Sequence, residues 1–563
     1  MSAEKHKVLV IGLDGATFDI LTPLVQQGLM PNLAALMEQG CWGKLSSTIP
    51  PFTAAAWSSF ITGKNPGRHG VLSFRYKRDR FNYDVRGSGF VDAQRFDQTL
   101  WEILSAAGKQ IGAVNVPLTY PARPVNGYMV TGMLTPLSAE QFTYPAEFAR
   151  TLQLDQDYVI DVDFIRDEEN FRVRGFPPKA EMIAQVSNMS RVRAQVCARL
   201  LRDEPWDFFM VVFTGTDRVM HFFWDDLAAI VADGGANDPI QQKVQGYFRE
   251  LDDGIGQLTG LAGPSTTVLL LSDHGFGPAQ TKRFFVNVWL EQLGLLRPRG
   301  AEGILDLEYW RTRIGRHKRL KALVRRLLPA SAQEKATTAT QSASKEIMDW
   351  SKTSAYLAPI YFHVCGVEIN LAGARREGIV PPGAEYEALR DRIVRAAREL
   401  KDPQSGQPIV ETAARREELY DGPYVDQFPD VILVLNPDYI GVPSLAGSSL
   451  VEPHDPTRPG EHRQDGIFIA AGPATISQGD LTNMCLLDTP PTIMYAMGLP
   501  VPSSFDGRVL QEIFDPAYLT ANPIQRQDLS LLQQAAGQQE TPSYSQTEET
   551  EIEQRLRGLG YIE

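Results

Sequence analysis

The sequence predicts an α/β protein: a doubly wound, mostly parallel sheet with helices on both faces and large insertions. Two observations carry this. Short apolar runs rich in β-branched residues alternate with amphipathic stretches of helical length, the pattern of strands buried on both faces and crossed over by helices. Several of these runs also end in Asp, His or Gly, as expected where an open sheet gathers loops into one crevice beyond its strand ends.

In chain order, Lys7 to Leu13 is the first expected strand, stopped by Asp14-Gly15. Further strands are expected at Gln110 to Val116, Tyr128 to Thr131, Asp207 to Phe213, Thr266 to Ser272, Asp430 to Leu435 and Gly466 to Ala471. Helices are expected at Met30 to Gln39, Ala54 to Ile61, Lys179 to Arg202, Gln241 to Leu258, Glu385 to Glu399 and Pro491 to Met497. These elements divide the core into 1–73, 177–283 and 416–522. Between them, 74–176 is irregular and rich in proline and aromatic residues, which suggests a cap that selects substrate, and 284–415 forms a second insertion. The second insertion holds an arginine-rich stretch at 310–328, read as a solvated helix face, followed by a polar low-complexity linker. Residues 523–563 form a polar tail expected to be loosely ordered, whose last residues, IEQRLRGLGYIE, suit a short docked helix.

Composition removes several classes of function. With 43% hydrophobic and 22% charged residues in a chain of 563, most of the sequence should fold. A net charge of −13 argues against a general surface for nucleic-acid polymers, which are held by lysines and arginines, but leaves room for a small phosphorylated substrate. The four cysteines, Cys41, Cys197, Cys365 and Cys485, are far apart and lack CxxC spacing, so reduced thiols are expected. No signal sequence or membrane-length apolar run is present, and the expectation is a soluble cytoplasmic protein of undetermined oligomeric state.

Seven residues capable of binding metal stand in five segments: Asp14, Thr53, Asp217, His221, Asp273, His274 and His462. In FTGTDRVMHFFW, Asp217 and His221 are four apart, so on a helix they share one face and can chelate one ion. The plainer reading is a helix-capping Asp and a packed His. VLLLSDHG places Asp273 and His274 at a strand end, where Gly275 would let the backbone turn both toward one crevice; here too a capping Asp and a backbone-bonded His are the alternative. Thr53 precedes the alanine-rich run of PPFTAAAWSSFITG, as a helix cap or as a hydroxyl that a metal could activate for attack on phosphorus.

Taken together, VIGLDG, FTAAAWSSFITGKNPGRHG, TDRVMH, SDHG and GEHRQDGIFIAAGP resemble, in order and spacing, the alkaline phosphatase superfamily and specifically its type I phosphodiesterase and nucleotide pyrophosphatase branch. The similarity runs from about Val8 to Leu510 and is loose in the two insertions. It implies two divalent cations, zinc first and manganese or iron as substitutes, with Asp14, Thr53, Asp273 and His274 around one and Asp217, His221 and His462 around the other. It further implies Thr53 as the nucleophile of a phosphodiester or pyrophosphate hydrolase that passes through a phosphothreonine. His462 is chosen over His454 because it precedes the GIFIAAGP strand, and His69 is expected to brace its loop.

One departure stands out. Relatives that cleave nucleotides carry an asparagine after the nucleophile to hold a phosphate oxygen, whereas Ala54, Ala55 and Ala56 follow Thr53 here. Asn115, in NVPLTYP, is the candidate substitute donor, against an ordinary turn-forming role. A phosphomonoesterase or a phosphomutase of the same superfamily is the alternative enzyme, and an inert protein that binds a phosphorylated ligand is the alternative outside catalysis. A sulfatase is disfavoured for want of the CxPxR-type segment.

Overall fold

A computed structural model describes residues 6–76, 89–151, 158–164, 176–299, 348–528 and 544–561. The chain forms two compact units: 1–74, 90–278 and 458–563 make up the first, and 75–89 with 279–457 make up the second. The arginine-rich stretch at 310–328 and its linker lie outside the described residues.

The first unit is built on a nine-stranded sheet. Its strands are β1 (Lys7–Leu13), β2 (Cys41–Ser46), β3 (Ile111–Val116), β4 (Gly127–Thr131), β5 (Thr143–Tyr144), β6 (Phe208–Phe213) and β7 (Thr266–Leu271). The short β8 (Gly275–Pro278) and β9 (Gly460–Arg463) form a separate ribbon, while β10 (Asp465–Ala471) and β11 (Gln478–Cys485) complete the sheet. The spatial order is β11-β2-β10-β7-β1-β6-β3-β4-β5. Strands β7, β1, β6, β3 and β4 are parallel, and β10 runs against both β7 and β2. The central strands read as continuous apolar runs because both faces are covered: β6, FFMVVF, is buried at every position.

Adjacency at the centre of this sheet positions the site. β1 pairs with β6 on one side, in register to Leu13↔Phe213, and with β7 on the other, to Gly12↔Leu271. The loops leaving all three strands therefore emerge side by side at one edge, although the segments are some 200 residues apart in sequence. Helix α1 (Thr53–Thr62) follows β2, and every one of its residues is buried. Its run of small alanines suits a helix enclosed on all sides, and Gly63 ends it in the left-handed region. Helices α2 (Lys179–Asp203), α3 (Gly215–Asp233) and α4 (Pro239–Ala262) connect β4, β6 and β7. Near the end of the chain come α5 (Thr489–Ala496) and α6 (Gln546–Gly558).

The structure corrects the expected domain plan. The region 74–176 expected as a cap instead supplies β3 and β4 to the main sheet, extending it from β6. The second insertion is longer than 284–415. The strand expected at Asp430 to Leu435 forms at Val431–Leu435, but it lies between Val364–Ile369 and Val410–Arg415 in an antiparallel sheet of the second unit. An apolar run alone does not reveal which sheet will receive it. In the tail 523–563, expected to be loosely ordered but for a short docked helix at IEQRLRGLGYIE, that helix forms as α6 and starts earlier, at Gln546, while 529–543 lies outside the described residues. No helix among the described residues is long and apolar enough to cross a membrane.

Candidate active site

The seven sequence candidates converge. Asp217, His221 and His462 form one buried cluster of ligand-type atoms, and Asp14, Asp273 and His274 form another, the atoms of each lying within 4.8 Å of one another. Thr53 Oγ1 lies 3.3 Å from His274 Nε2. Asp14 follows β1, Asp217 and His221 stand four apart on α3 beyond β6, and Asp273 and His274 follow β7. His462 arrives differently. It lies on β9, opposite Phe276 of β8, so the ribbon folds it back over the strand ends.

The plainer capping readings do not hold at three of these positions. Phe52, not Thr53, is the N-cap of α1, and no side chain caps that helix. Asp217 sits in the first turn of α3, yet its Oδ2 accepts hydrogen bonds from Arg218 and from Tyr561 (2.7 Å). Asp273 Oδ1 accepts from the backbone of Gly15 at 3.1 Å, a partner from the β1 loop. Gly15 has φ +67, and a Cβ there would come within 2.7 Å of the Phe276 ring, so only glycine allows this N–H to approach. Gly275 serves differently from the expected turn: a Cβ would lie 1.9 Å from the Asp465 carbonyl, so its function is clearance for β10.

Whether the donor set fits metal ions can be tested on hydrogen bonding alone. Among the described residues, each carboxylate has one oxygen held by the protein and one without a hydrogen-bond partner. Trp57 Nε1 donates to Asp14 Oδ2 at 3.1 Å, and the unpartnered oxygens are Asp14 Oδ1, Asp217 Oδ1 and Asp273 Oδ2. Three buried carboxylate oxygens left without donors would be costly unless a cation satisfied them. The imidazoles follow the same rule. The Nδ1 atoms of His221, His274 and His462 donate to the carbonyls of Gly460 (3.0 Å), Gly275 (3.1 Å) and Pro51 (3.1 Å). In the neutral tautomer this fixes each Nε2 as a lone pair facing inward, the usual outer support of a metal-binding histidine. The Nε2 atoms of His221 and His462 face each other at 3.0 Å, a contact of two lone pairs that a shared cation would relieve.

Burial governs the electrostatics. It pushes the Asp14 carboxyl well above its ordinary range, with Asp273 and Asp217 adding to the shift, and carries Asp273 to about 8. At Asp217 burial also pushes upward, but His221, Arg218 and His462 outweigh it and hold the group well below the usual range. Burial lowers His221 to about 3, with Arg458 adding to it, and holds His274 well below its normal value, so both favour the neutral form that ligates metal.

The remaining expectations divide. His69 braces its loop: Val71 N–H donates to Nδ1 at 3.2 Å, which leaves Nε2–H for Ser59 Oγ at 2.9 Å. His454 belongs to the second unit, where its N–H bonds the Thr281 carbonyl. Asn115, the penultimate residue of β3, has φ 60 and is fully buried. Its Oδ1 accepts from Tyr158 (3.4 Å), and its Nδ2 has no partner among the described residues. Four residues escaped the sequence reading. Trp57 lies one helical turn beyond Thr53, and Arg218 directly follows Asp217, so their spacing offered a clue. Asp161 and Tyr561 gave none, because only the fold brings them to Arg218.

This arrangement, a mostly parallel sheet with two acid–imidazole clusters beside a hydroxyl at its strand ends, defines a hydrolase of the alkaline phosphatase superfamily. The model of the type I phosphodiesterase / nucleotide pyrophosphatase family matches residues 8–442, and the chain belongs to that family. It is a phosphoester hydrolase. The match takes in six of the seven residues and stops short of His462, which the β8–β9 ribbon supplies. Among solved structures, phosphonoacetate hydrolase from Sinorhizobium meliloti, in complex with phosphonoformate, shares the fold at 15% identity and TM-score 0.50, covering 88% of this chain and 96% of that one. Murine ectonucleotide pyrophosphatase / phosphodiesterase 5 aligns at 12% identity and TM-score 0.48, over 90% of this chain and all of the other. No curated protein matches significantly.

Proposed function

We propose that this enzyme hydrolyses phosphodiester or pyrophosphate bonds of a small phosphorylated substrate through a phosphothreonine on Thr53. The observation that carries the reading is the set of three buried carboxylate oxygens without hydrogen-bond partners among the described residues, gathered with inward-facing imidazole nitrogens in two clusters, one of them in contact with Thr53. Asp217, His221 and His462 would hold one divalent cation, and Asp14, Asp273, His274 and Thr53 the other, with zinc the first choice for this imidazole–carboxylate mixture. Bound there, the pair would supply Lewis-acid activation of the threonine hydroxyl and neutralise phosphoryl charge.

The chain's own contribution is positioning. Thr53 is the first residue of a helix with no side-chain cap, so the amides of Thr53, Ala54 and Ala55 have no intrahelical acceptor and can receive phosphoryl oxygens at the positive end of the helix. Those backbone donors take the part that a nearby asparagine plays in nucleotide-cleaving relatives; Asn115 Nδ2 is a further donor. Thr53 Oγ1 forms a bond to phosphorus as the bond to the leaving oxygen breaks, and water then cleaves the phosphothreonine and restores the hydroxyl. The four cysteines are free, in keeping with a reducing compartment, and we place the enzyme in the cytoplasm.

The test pairs metal analysis with turnover. Protein supplied with zinc or manganese should hold two equivalents, prefer a generic aryl phosphodiester over the matching monoester, and lose turnover as Thr53→Ala and as Asp14→Ala. Fewer than two equivalents, or a Thr53→Ala variant of full activity, would overturn the mechanism. Monoester preference would overturn the substrate assignment alone.

A further inference from the structure

Tyr561 lies 344 residues from Asp217, yet its hydroxyl donates to Asp217 Oδ2 at 2.7 Å and accepts from Arg218 Nη1 at 2.5 Å. Its ring packs edge-on against Phe52, Phe74 and His221, with centroids 5.4–5.8 Å away. The segment that delivers it is pinned along its length. Tyr544 Oη donates to the carbonyls of Val91 (3.4 Å) and Leu134 (3.2 Å), and Tyr120 Oη donates to Glu548 at 3.2 Å. Ile552, Leu556 and Leu559 are buried, and the buried Arg555 donates to the Thr135 carbonyl at 2.7 Å. Arg458 donates to the Leu559 carbonyl and pairs with Glu461, the residue before His462. Residues 544–561 thus reach two of the three members of one cluster, through Tyr561 to Asp217 and through Arg458 to the strand that carries His462.

With Oδ2 taken by Tyr561 and Arg218, the unpartnered Asp217 Oδ1 is turned toward the imidazoles, 3.5 Å from His221 Nε2 and 3.2 Å from His462 Nε2. We propose that Tyr561 is a positioning residue that fixes this orientation, so that cation binding at the Asp217–His221–His462 cluster and docking of residues 544–561 strengthen each other. The inference rests on the metal reading above. Reciprocity follows from linkage: if docking raises cation affinity, the cation stabilises docking by the same factor.

Tyr561→Phe keeps the ring and removes only the hydroxyl. Co²⁺ and Zn²⁺ titrations, the former read by visible absorption, should show one of two equivalents weakened by about 10-fold or more and the other unchanged, since loss of an outer-shell partner typically costs about 10- to 100-fold in metal affinity. The cobalt bands of the weakened equivalent should shift. In the unmodified protein Zn²⁺ should slow tryptic cleavage at the exposed Arg557, and in Tyr561→Phe that protection should shrink. Tyr544→Phe, which loosens the segment without touching Asp217's partner, should weaken the same equivalent by a smaller factor. If the unmodified protein fails to hold two equivalents, the metal reading itself fails. If it holds two and both variants match it, the linkage is overturned. Faster diester turnover in Tyr561→Phe would make the segment an obstruction and overturn the proposal as well.

Discussion

Arg218 offers the sharpest test of how the site is held together. Its guanidinium is buried between two buried carboxylates, bonding Asp161 through Nη2 (2.5 Å) and Nε (3.3 Å) and Asp217 through Nη1. Burial works against its charge, but Asp161, Tyr561 and Asp217 outweigh that and hold it firmly protonated. Arg218→Met preserves much of the volume and removes the cation. Among the described residues Asp161 then keeps hydrogen bonds from Val162 N–H (2.9 Å) and, at longer range, Thr214 (3.5 Å), with the charge of Arg555 acting on it without a hydrogen bond, a weaker set than the ion pair it loses. Removing one member of a buried pair costs about 3–5 kcal/mol, a large part of the roughly 5–15 kcal/mol of a typical domain. Urea unfolding of chelator-treated protein should show that loss without any contribution from metal linkage. Adding Asp161→Asn should recover about 1–3 kcal/mol, because the stranded charge is gone. A loss below about 1 kcal/mol in Arg218→Met, or a double variant no more stable than the single, would refute the charge network as the organising contact.

Two further outcomes follow from particular contacts. Trp57→Phe removes the N–H that holds Asp14 Oδ2, so it should weaken by about 10-fold the cation equivalent that Tyr561→Phe leaves intact; metal titration of both variants checks this, and a loss at the same equivalent would mean the clusters do not act as separate sites. Burial lowers His69 from 6.5 to about 3, so as pH falls below 6.5 the unfolded chain takes up the proton before the native state does. Stability should therefore drop by about 1 kcal/mol per pH unit down to about pH 3, and His69→Gln should remove that increment from the urea midpoints. A stability difference between the two proteins that does not vary with pH would contradict the buried neutral imidazole.

Much of the main sheet was legible because its strands are buried on both faces and so read as unbroken apolar runs; β1 begins and ends where expected, and β3, β6 and β7 start or stop within one residue of expectation. The candidate site was legible for a related reason. Asp14, Asp217, Asp273 and His274 follow the ends of such runs, and residue type together with position marks them before any geometry is known. Sheet membership was not legible. Val431–Leu435 is as apolar as the central strands, and only its pairing partners assign it to the second unit.

By itself, the sequence determined which residues carry atoms of metal-ligand type, how strands and helices alternate, and that Thr53 stands at a helix start. Only tertiary structure decided which oxygen of each carboxylate faces inward, because that depends on donors from remote segments: Trp57 for Asp14, Gly15 for Asp273, and Arg218 with Tyr561 for Asp217. The physical reason is that a hydrogen bond acts over about 3 Å of space whatever the separation along the chain, and no local pattern announces a tyrosine that reaches an aspartate 344 residues away.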